Sequence, residues 1–258
     1  MSDPSPLADA VDEAAASARA EGRTTLTEAE AKGLLSAVGV ATPEFELAAD
    51  PDAAVDAAER IGYPVVAKVS SPAVTHKSEW GDGAGVAVGL DGPEAVRRAA
   101  ARIDEAAADR GIAASVLVES AVDVDAGTEV IVGGTNDPSF GPVTLVGLGG
   151  TFTEVYGDVA HRIAPVTERE AREAVTSLTA APLLSGYRGR APADLDALVD
   201  VVRTVGDLLD ASPEIAEIDL NPVLAASDGA TALDGLVVLS EADGAGDAEA
   251  GDAGGADR

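Results

Sequence analysis

Cysteine is missing from the 258-residue chain, which excludes a disulfide framework, a thiol nucleophile and a thiolate metal site. Membrane spans are equally excluded as a reading, because no apolar run approaches the roughly 20 residues that a spanning helix needs. The N-terminal MSDPSPLADAVDEAA is acidic and has no signal-peptide pattern, so a cytoplasmic location is expected. Positive charge is scarce: 17 Lys and Arg stand against 46 Asp and Glu, a net charge of −29. A field of that sign repels nucleic acid and anionic membranes, and neither is expected as a partner. An acidic, lysine-poor surface suits a protein dissolved in concentrated salt, where screening shortens self-repulsion. Only three lysines, two histidines and one tryptophan occur, so each retained cation draws attention. Lys68, Lys77, His76 and Arg162 are the ones to follow.

The stretch from Val65 to Gly89 concentrates these rare residues, holding two of the lysines, one histidine and the tryptophan. A β-branched run ending in Ser70-Ser71-Pro72 predicts a buried strand that delivers Lys68. A polar loop with His76-Lys77-Ser78 follows, and Gly81, Gly83 and Gly85 lead into a second strand, Val86 to Leu90. Strand, glycine-bearing loop and strand can lay backbone N–H groups over phosphates.

Apolar content of 46% gives the rest of the chain ample core. A short helix is expected over Leu7 to Ala20, and Thr27 to Glu30 forms a capping box before a helical stripe of Ala31, Leu34, Leu35 and Val38. Phe45 to Leu47 and Val116 to Val118 predict strands, while Pro51 and Pro93 open helices. The polar segment Asp123 to Gly127 suggests a hinge. Beyond it, Glu129 to Val132 and Val143 to Gly147 read as strands, and Gly147-Leu148-Gly149-Gly150 forms a second glycine loop. A capping box at Thr167 to Glu170 and Pro192 each predict a helix start. The last ordered part is a hairpin with its turn at Asp228-Gly229. From Glu241 onward the chain is acidic and of low complexity, and disorder is expected.

In that hairpin Glu217, Asp219 and Asn221 alternate, so all three side chains share one face, with Asp234 expected on the partner strand. Hard oxygen donors of this kind suit Mg²⁺; the plainer reading is a solvated polar edge. A lysine inside a β-branched strand is costly unless an anion meets it, which points Lys68 to phosphate, with a salt bridge to an acid as the alternative. His76 is either an exposed spectator or an acid–base or nucleophilic nitrogen, whereas His161 reads as structural. Neither glycine loop opens a helix as a dinucleotide fingerprint would, and no Walker glycine loop is present. Together, the strand lysine, glycine loops and distant carboxylates describe a nucleotide held between two lobes with Mg²⁺ on the second.

Several stretches, in order, resemble the ATP-grasp β subunit of ADP-forming acetyl-CoA synthetases: Thr27 to Leu35, Gly62 to Val69, Ser71 to Ser78, Asp137 to Val143, Gly147 to Gly150 and Glu217 to Val223. The likeness spans about residues 25 to 240 and extends more distantly to succinyl-CoA synthetase β subunits. It implies an α/β ATP-grasp fold, with the nucleotide between two α/β lobes, and ATP/ADP and Mg²⁺ as cofactors. It also implies that His76 is a transient phosphohistidine, and that Asn221 and Asp234 ligate the metal, with Asp219 beside them. Nucleotide contacts are expected from Lys68, Glu119, Gly83, Gly85, Glu129, Gly149, Gly150 and Arg162. The implied reaction is acyl-CoA, ADP and phosphate giving acid, CoA and ATP, reversibly, with a separate CoA-binding α subunit in an α₂β₂ assembly. Two readings stand beside it, a carboxylate ligase without phosphohistidine and a non-catalytic nucleotide-sensing subunit. The segment Glu79 to Gly85 is longer than the family's usual spacing. The expected layout is a partly disordered N-terminal extension over 1–24, lobes over 25–118 and 119–240, and a disordered acidic tail over 241–258.

Overall fold

The computed structural model describes residues 6–74, 77, 80–149, 157–187 and 191–241. His76 and Gly150, two of the expected site residues, lie outside them, as does the tail from 242 onward.

Two antiparallel sheets organise the fold. The smaller has strand order β1-β4-β2-β3, built from β1 (Phe45–Ala48), β2 (Val65–Ser70), β3 (Val86–Leu90) and β4 (Ser115–Ser120). Helices α3 (Pro51–Ile61) and α4 (Pro93–Arg110) cover one of its faces, with Ala54, Ala57, Ala58, Ala99 and Ala100 toward the sheet. Those small side chains let the helices lie close on Val65, Ala67, Val69, Val116 and Val118. Asp50 caps α3 by accepting from Asp52 N and Ala53 N. Strand alternation then turns Lys68, Leu117 and Glu119 to the opposite face, away from α3 and α4.

The larger sheet has order β10-β8-β5-β6-β7, from β5 (Gly127–Asp137), β6 (Gly141–Leu148), β7 (Val159–Ile163), β8 (Ile215–Ala226) and β10 (Leu236–Leu239), with β9 (Gly229–Ala232) also on β8. Its core packs α5 (Glu168–Ser177) and α6 (Leu195–Ala211) beneath it. The expected hinge is a single 3₁₀ turn, Val124–Ala126, capped by Asp123, and it joins β4 of one sheet to β5 of the other.

The helix expected over Leu7 to Ala20 is present as α1 (Pro6–Ala20), and it buries Val11, Ala15 and Ala18 in the larger core. Two element placements need correction. Helix α2 (Glu28–Ala37), assigned from sequence to the first lobe, likewise buries Ala31, Leu34 and Leu35 there. Its apolar stripe fits either lobe, and only docking decides. The longer helix begins at Leu195 and not Pro192, because Asp194 caps it by accepting from Asp196 N and Ala197 N.

Candidate functional site

Because α2 belongs to the larger body, its first turn reaches across to the uncovered face of the smaller sheet. There Glu28 and Lys32, one helical turn apart, meet Lys68 from β2 and Glu119 from β4. The Glu28 Oε1 atom lies 2.8 Å from Lys32 Nζ and 2.8 Å from Lys68 Nζ. Lys68 Nζ is also 2.6 Å from Glu119 Oε1 and donates to the Leu233 carbonyl at 3.0 Å. Lys32 Nζ donates to Glu119 Oε2 and is fully buried. Lys77 Nζ completes the cluster, 2.8 Å from Glu28 Oε2 and 3.2 Å from Asp234 Oδ1. All three lysines of the chain therefore converge on three carboxylates, and three positive charges are balanced by three negative ones.

Electrostatics follow from that geometry. Burial alone would push the Glu28 carboxyl up, but the ammonium groups of Lys68, Lys32 and Lys77 outweigh it and hold the pKa at about 2. Burial works against the Lys68 charge too, and Glu28, Glu119 and Asp234 overcome it, so its pKa lies above the ordinary lysine value. Lys77 is raised for the same reasons, by Glu28 and Asp234.

A cavity of about 570 Å³ opens beside the cluster, lined by Ser70, Ser71, Lys77, Asp219, Asn221 and Asp234 among others. Asp219 and Asn221 come from β8 as the alternation requires. Asp234 is not on a strand: it sits in the break between β9 and β10, and its carboxylate accepts from Gly235 N at 2.8 Å. The pairing of Leu236 with Asp219 brings that break beside β8. Burial, then Glu217 and Asp234, push the Asp219 carboxyl up. The Asp219 and Asp234 carboxylates, beside the Asn221 amide oxygen, fit a hard divalent cation completed by phosphate and water. Among the described residues no three His, Cys, Asp or Glu side chains converge as a closed metal cage. An open site of that kind is the sort Mg²⁺ uses.

The remaining expected residues are dispersed. Gly83 has φ +83° in the turn after Lys77, a conformation that suits glycine. Gly85 serves packing, since a Cβ there would strike the Lys77 carbonyl. The Glu119 carboxylate is taken by Lys32 and Lys68. Glu129 and Gly149 face each other, Gly149 N donating to Glu129 O at 2.8 Å, and line a separate cavity with Val124 and Leu183. Arg162 lines a third, with Phe140 and His161, and its guanidinium donates to His161 O at 2.8 Å. Its cross-strand partner Thr144 packs against α6, so Arg162 alternates away from the face shown by His161 and Ile163. Glu28 and Lys32 are the residues that sequence reasoning missed. The scarcity of lysine was the available signal for Lys32; Glu28 was masked by its place in an ordinary capping box.

Two sheets with a lysine-lined cavity between them and hard-oxygen donors on the larger one define a nucleotide-grasping α/β protein. The chain belongs to the ATP-grasp family, whose ATP-grasp domain model matches residues 17–239. It is similar to the β subunit of an ADP-forming acetate–CoA ligase of Pyrococcus furiosus, with 40% identity over 225 residues, 86% of this chain and 94% of the relative. Among solved structures it is similar to a dinucleotide-forming acetyl-coenzyme A synthetase of Ca. Korarchaeum cryptofilum in complex with coenzyme A and Ca-AMPCP. There the TM-score is 0.83 at 37% identity, covering 89% of this chain and 99% of that one. A second structure of that enzyme, with coenzyme A and Mg-AMPPCP, is described with its phosphohistidine segment pointing towards the nucleotide-binding site. It matches at a TM-score of 0.78 and 37% identity, with the same coverage.

Proposed function

We propose that this chain is the nucleotide-binding β subunit of an ADP-forming acyl-CoA synthetase, acting with a CoA-binding α subunit. The observation that carries the reading is the convergence of Lys77, Asp219, Asn221 and Asp234 at the cavity between the two sheets, with Lys68 behind them, joined to Lys77 through Glu28. Phosphoryl transfer needs little from a protein beyond alignment and neutralised charge, and these residues supply both.

In this reading Lys68 and Lys77 lie where phosphate oxygens would enter, and Asp219, Asn221 and Asp234 hold Mg²⁺. When bound, the cation neutralises charge on the phosphates. His76, next to Lys77 in the sequence, carries the phosphoryl group. Its P–N bond breaks as a terminal oxygen of ADP forms the new P–O bond, which yields ATP and frees the imidazole. In the reverse direction the imidazole nitrogen takes the γ-phosphoryl group and ADP leaves. The α subunit exchanges that group with the acyl phosphate, so acyl-CoA, ADP and phosphate become acid, CoA and ATP. The likeness to a protein with a phosphohistidine segment supports this assignment over a ligase lacking one.

The test mixes the full chain with its α subunit, acyl-CoA, phosphate and ADP. ATP formation and acid-labile phosphate on this chain are both expected, and both should fall to background in His76→Ala. ATP formation at the native rate by that variant would overturn the phosphohistidine role.

A further inference from the structure

Ser70 and Ser71 stand side by side at the end of β2, and both line the cavity between the two sheets. Ser71 is committed to the fold: its hydroxyl donates to the Ala113 carbonyl at 2.7 Å and accepts from Ala73 N at 3.3 Å. Thr27, also on the cavity, spends its hydroxyl closing the capping box with Glu30. Ser70 is only 9% exposed, and its hydroxyl has no partner among the described residues. Of the serine and threonine hydroxyls on this cavity, it is the one both buried and uncommitted.

Strand alternation explains where Ser70 points. Val69 packs into the core under α3 and α4, so Lys68 and Ser70 on either side of it share the opposite face, in register with Leu117 and Ser115 of β4. That face is turned to the larger body, which contributes Asp219, Asn221 and Asp234 to the same cavity. The ammonium groups nearby have few N–H groups to spare. Lys68 has three N–H groups and three acceptors in reach: Glu28 at 2.8 Å, Glu119 at 2.6 Å and the Leu233 carbonyl at 3.0 Å. Lys77 is shared between Glu28 at 2.8 Å and Asp234 at 3.2 Å. Both lysines supply charge, but each already spends its N–H groups on acceptors of the cluster.

The geometry points to Ser70 as a nucleotide-binding residue whose hydroxyl donates to an anionic oxygen of the phosphate chain, opposite the carboxylates of the larger sheet. A phosphate oxygen that carries charge accepts and does not donate, which matches a hydroxyl with its O–H free. A hydrogen bond to an ionised acceptor is roughly twice as strong as one to a neutral group, so exchanging water for phosphate favours the bound state. Ser70 takes no covalent part; it fixes the phosphate chain against the smaller sheet. This role rests on the nucleotide reading of the cavity and adds a residue to it.

The experiment titrates the full chain with Mg·ADP and with adenosine, and follows thermal unfolding without ligand. Ser70→Ala should bind Mg·ADP about tenfold more weakly, the low end for a hydrogen bond to a charged group. It should bind adenosine as the native chain does and unfold at the native Tm, because the hydroxyl holds nothing in the fold. Ser70→Thr keeps the hydroxyl and should recover most of the Mg·ADP affinity. Native Mg·ADP affinity in Ser70→Ala would overturn the role of Ser70 while leaving the nucleotide site standing. Equal losses for Mg·ADP and adenosine, a lowered Tm, or a Ser70→Thr chain as weak as Ser70→Ala would each overturn it as well. Absence of Mg·ADP binding by the native chain would overturn the nucleotide reading and the role of Ser70 with it.

Discussion

Glu28 keeps its charge among three ammonium groups, and acid should reveal it. Its pKa is depressed from the ordinary 4.5 to about 2 in the folded chain, so the stability it contributes is present above about pH 4.5 and is lost as pH falls to about 2. Glu28→Gln leaves buried lysines short of a partner, and about 3–5 kcal/mol of destabilisation is expected at neutral pH. Denaturant titrations of both chains check this. The gap between them should narrow as pH drops through that window, and a gap independent of pH would refute the assignment. The same residue shows where sequence reading stops. Lys68 and Lys77 stand out because lysine is rare, and Asp219 and Asn221 because alternation gives them one face. Glu28 and Lys32 sit in a helix whose cap and stripe already account for every residue locally. Which way that helix turns its polar side depends on docking, and docking is not a local property.

Among the elements, glycine separates what is required from what is tolerated. Gly134 lies in β5 where an added Cβ would strike the Val143 carbonyl and Leu209 Cδ1, at the seam between the larger sheet and α6. Neither the paired backbone nor the packed helix can give way easily, so Gly134→Ala should destabilise the chain by about 1–3 kcal/mol. Gly33, inside α2, has open space around its Cα and no left-handed backbone. Gly33→Ala should stabilise by about 0.5–1 kcal/mol through helix propensity alone. Chemical denaturation of the pair decides the matter, and equal effects would show that the seam is looser than its packing indicates. Element boundaries were legible at Thr27, Asp50, Pro93 and Thr167, where a cap or a proline marks them, but not at Pro192, which lies ahead of the true cap, Asp194. They were not at the end of the chain, where one predicted hairpin is a long strand, β8, paired by two short ones. The break between β9 and β10 is what places Asp234, and three residues, Leu233 to Gly235, hold too little pattern to announce a break.

At the scale of the whole molecule the two bodies meet through the lysine cluster, while the outer surface carries an excess of acid. Of 46 acidic residues at most 17 can be matched by Lys or Arg, which leaves a net charge of −29 that repels itself. Exposed pairs such as Arg97 with Asp52 lose strength in salt, but an exposed pair is worth only about 0–1 kcal/mol, so relief of repulsion dominates. Raising KCl from about 0.1 to about 1 M shortens the screening length from about 10 to about 3 Å. The Tm should therefore rise over that range, and a flat or falling Tm would count against surface repulsion as the controlling term. The buried cluster answers differently, because Lys32 and Glu28 are out of reach of the counterions. The stability deficit of Glu28→Gln should persist at about 1 M KCl while the baseline of both chains moves up together. If salt instead erased that deficit, the cluster would be a solvated one, and the joint between the two sheets would have to be sought elsewhere.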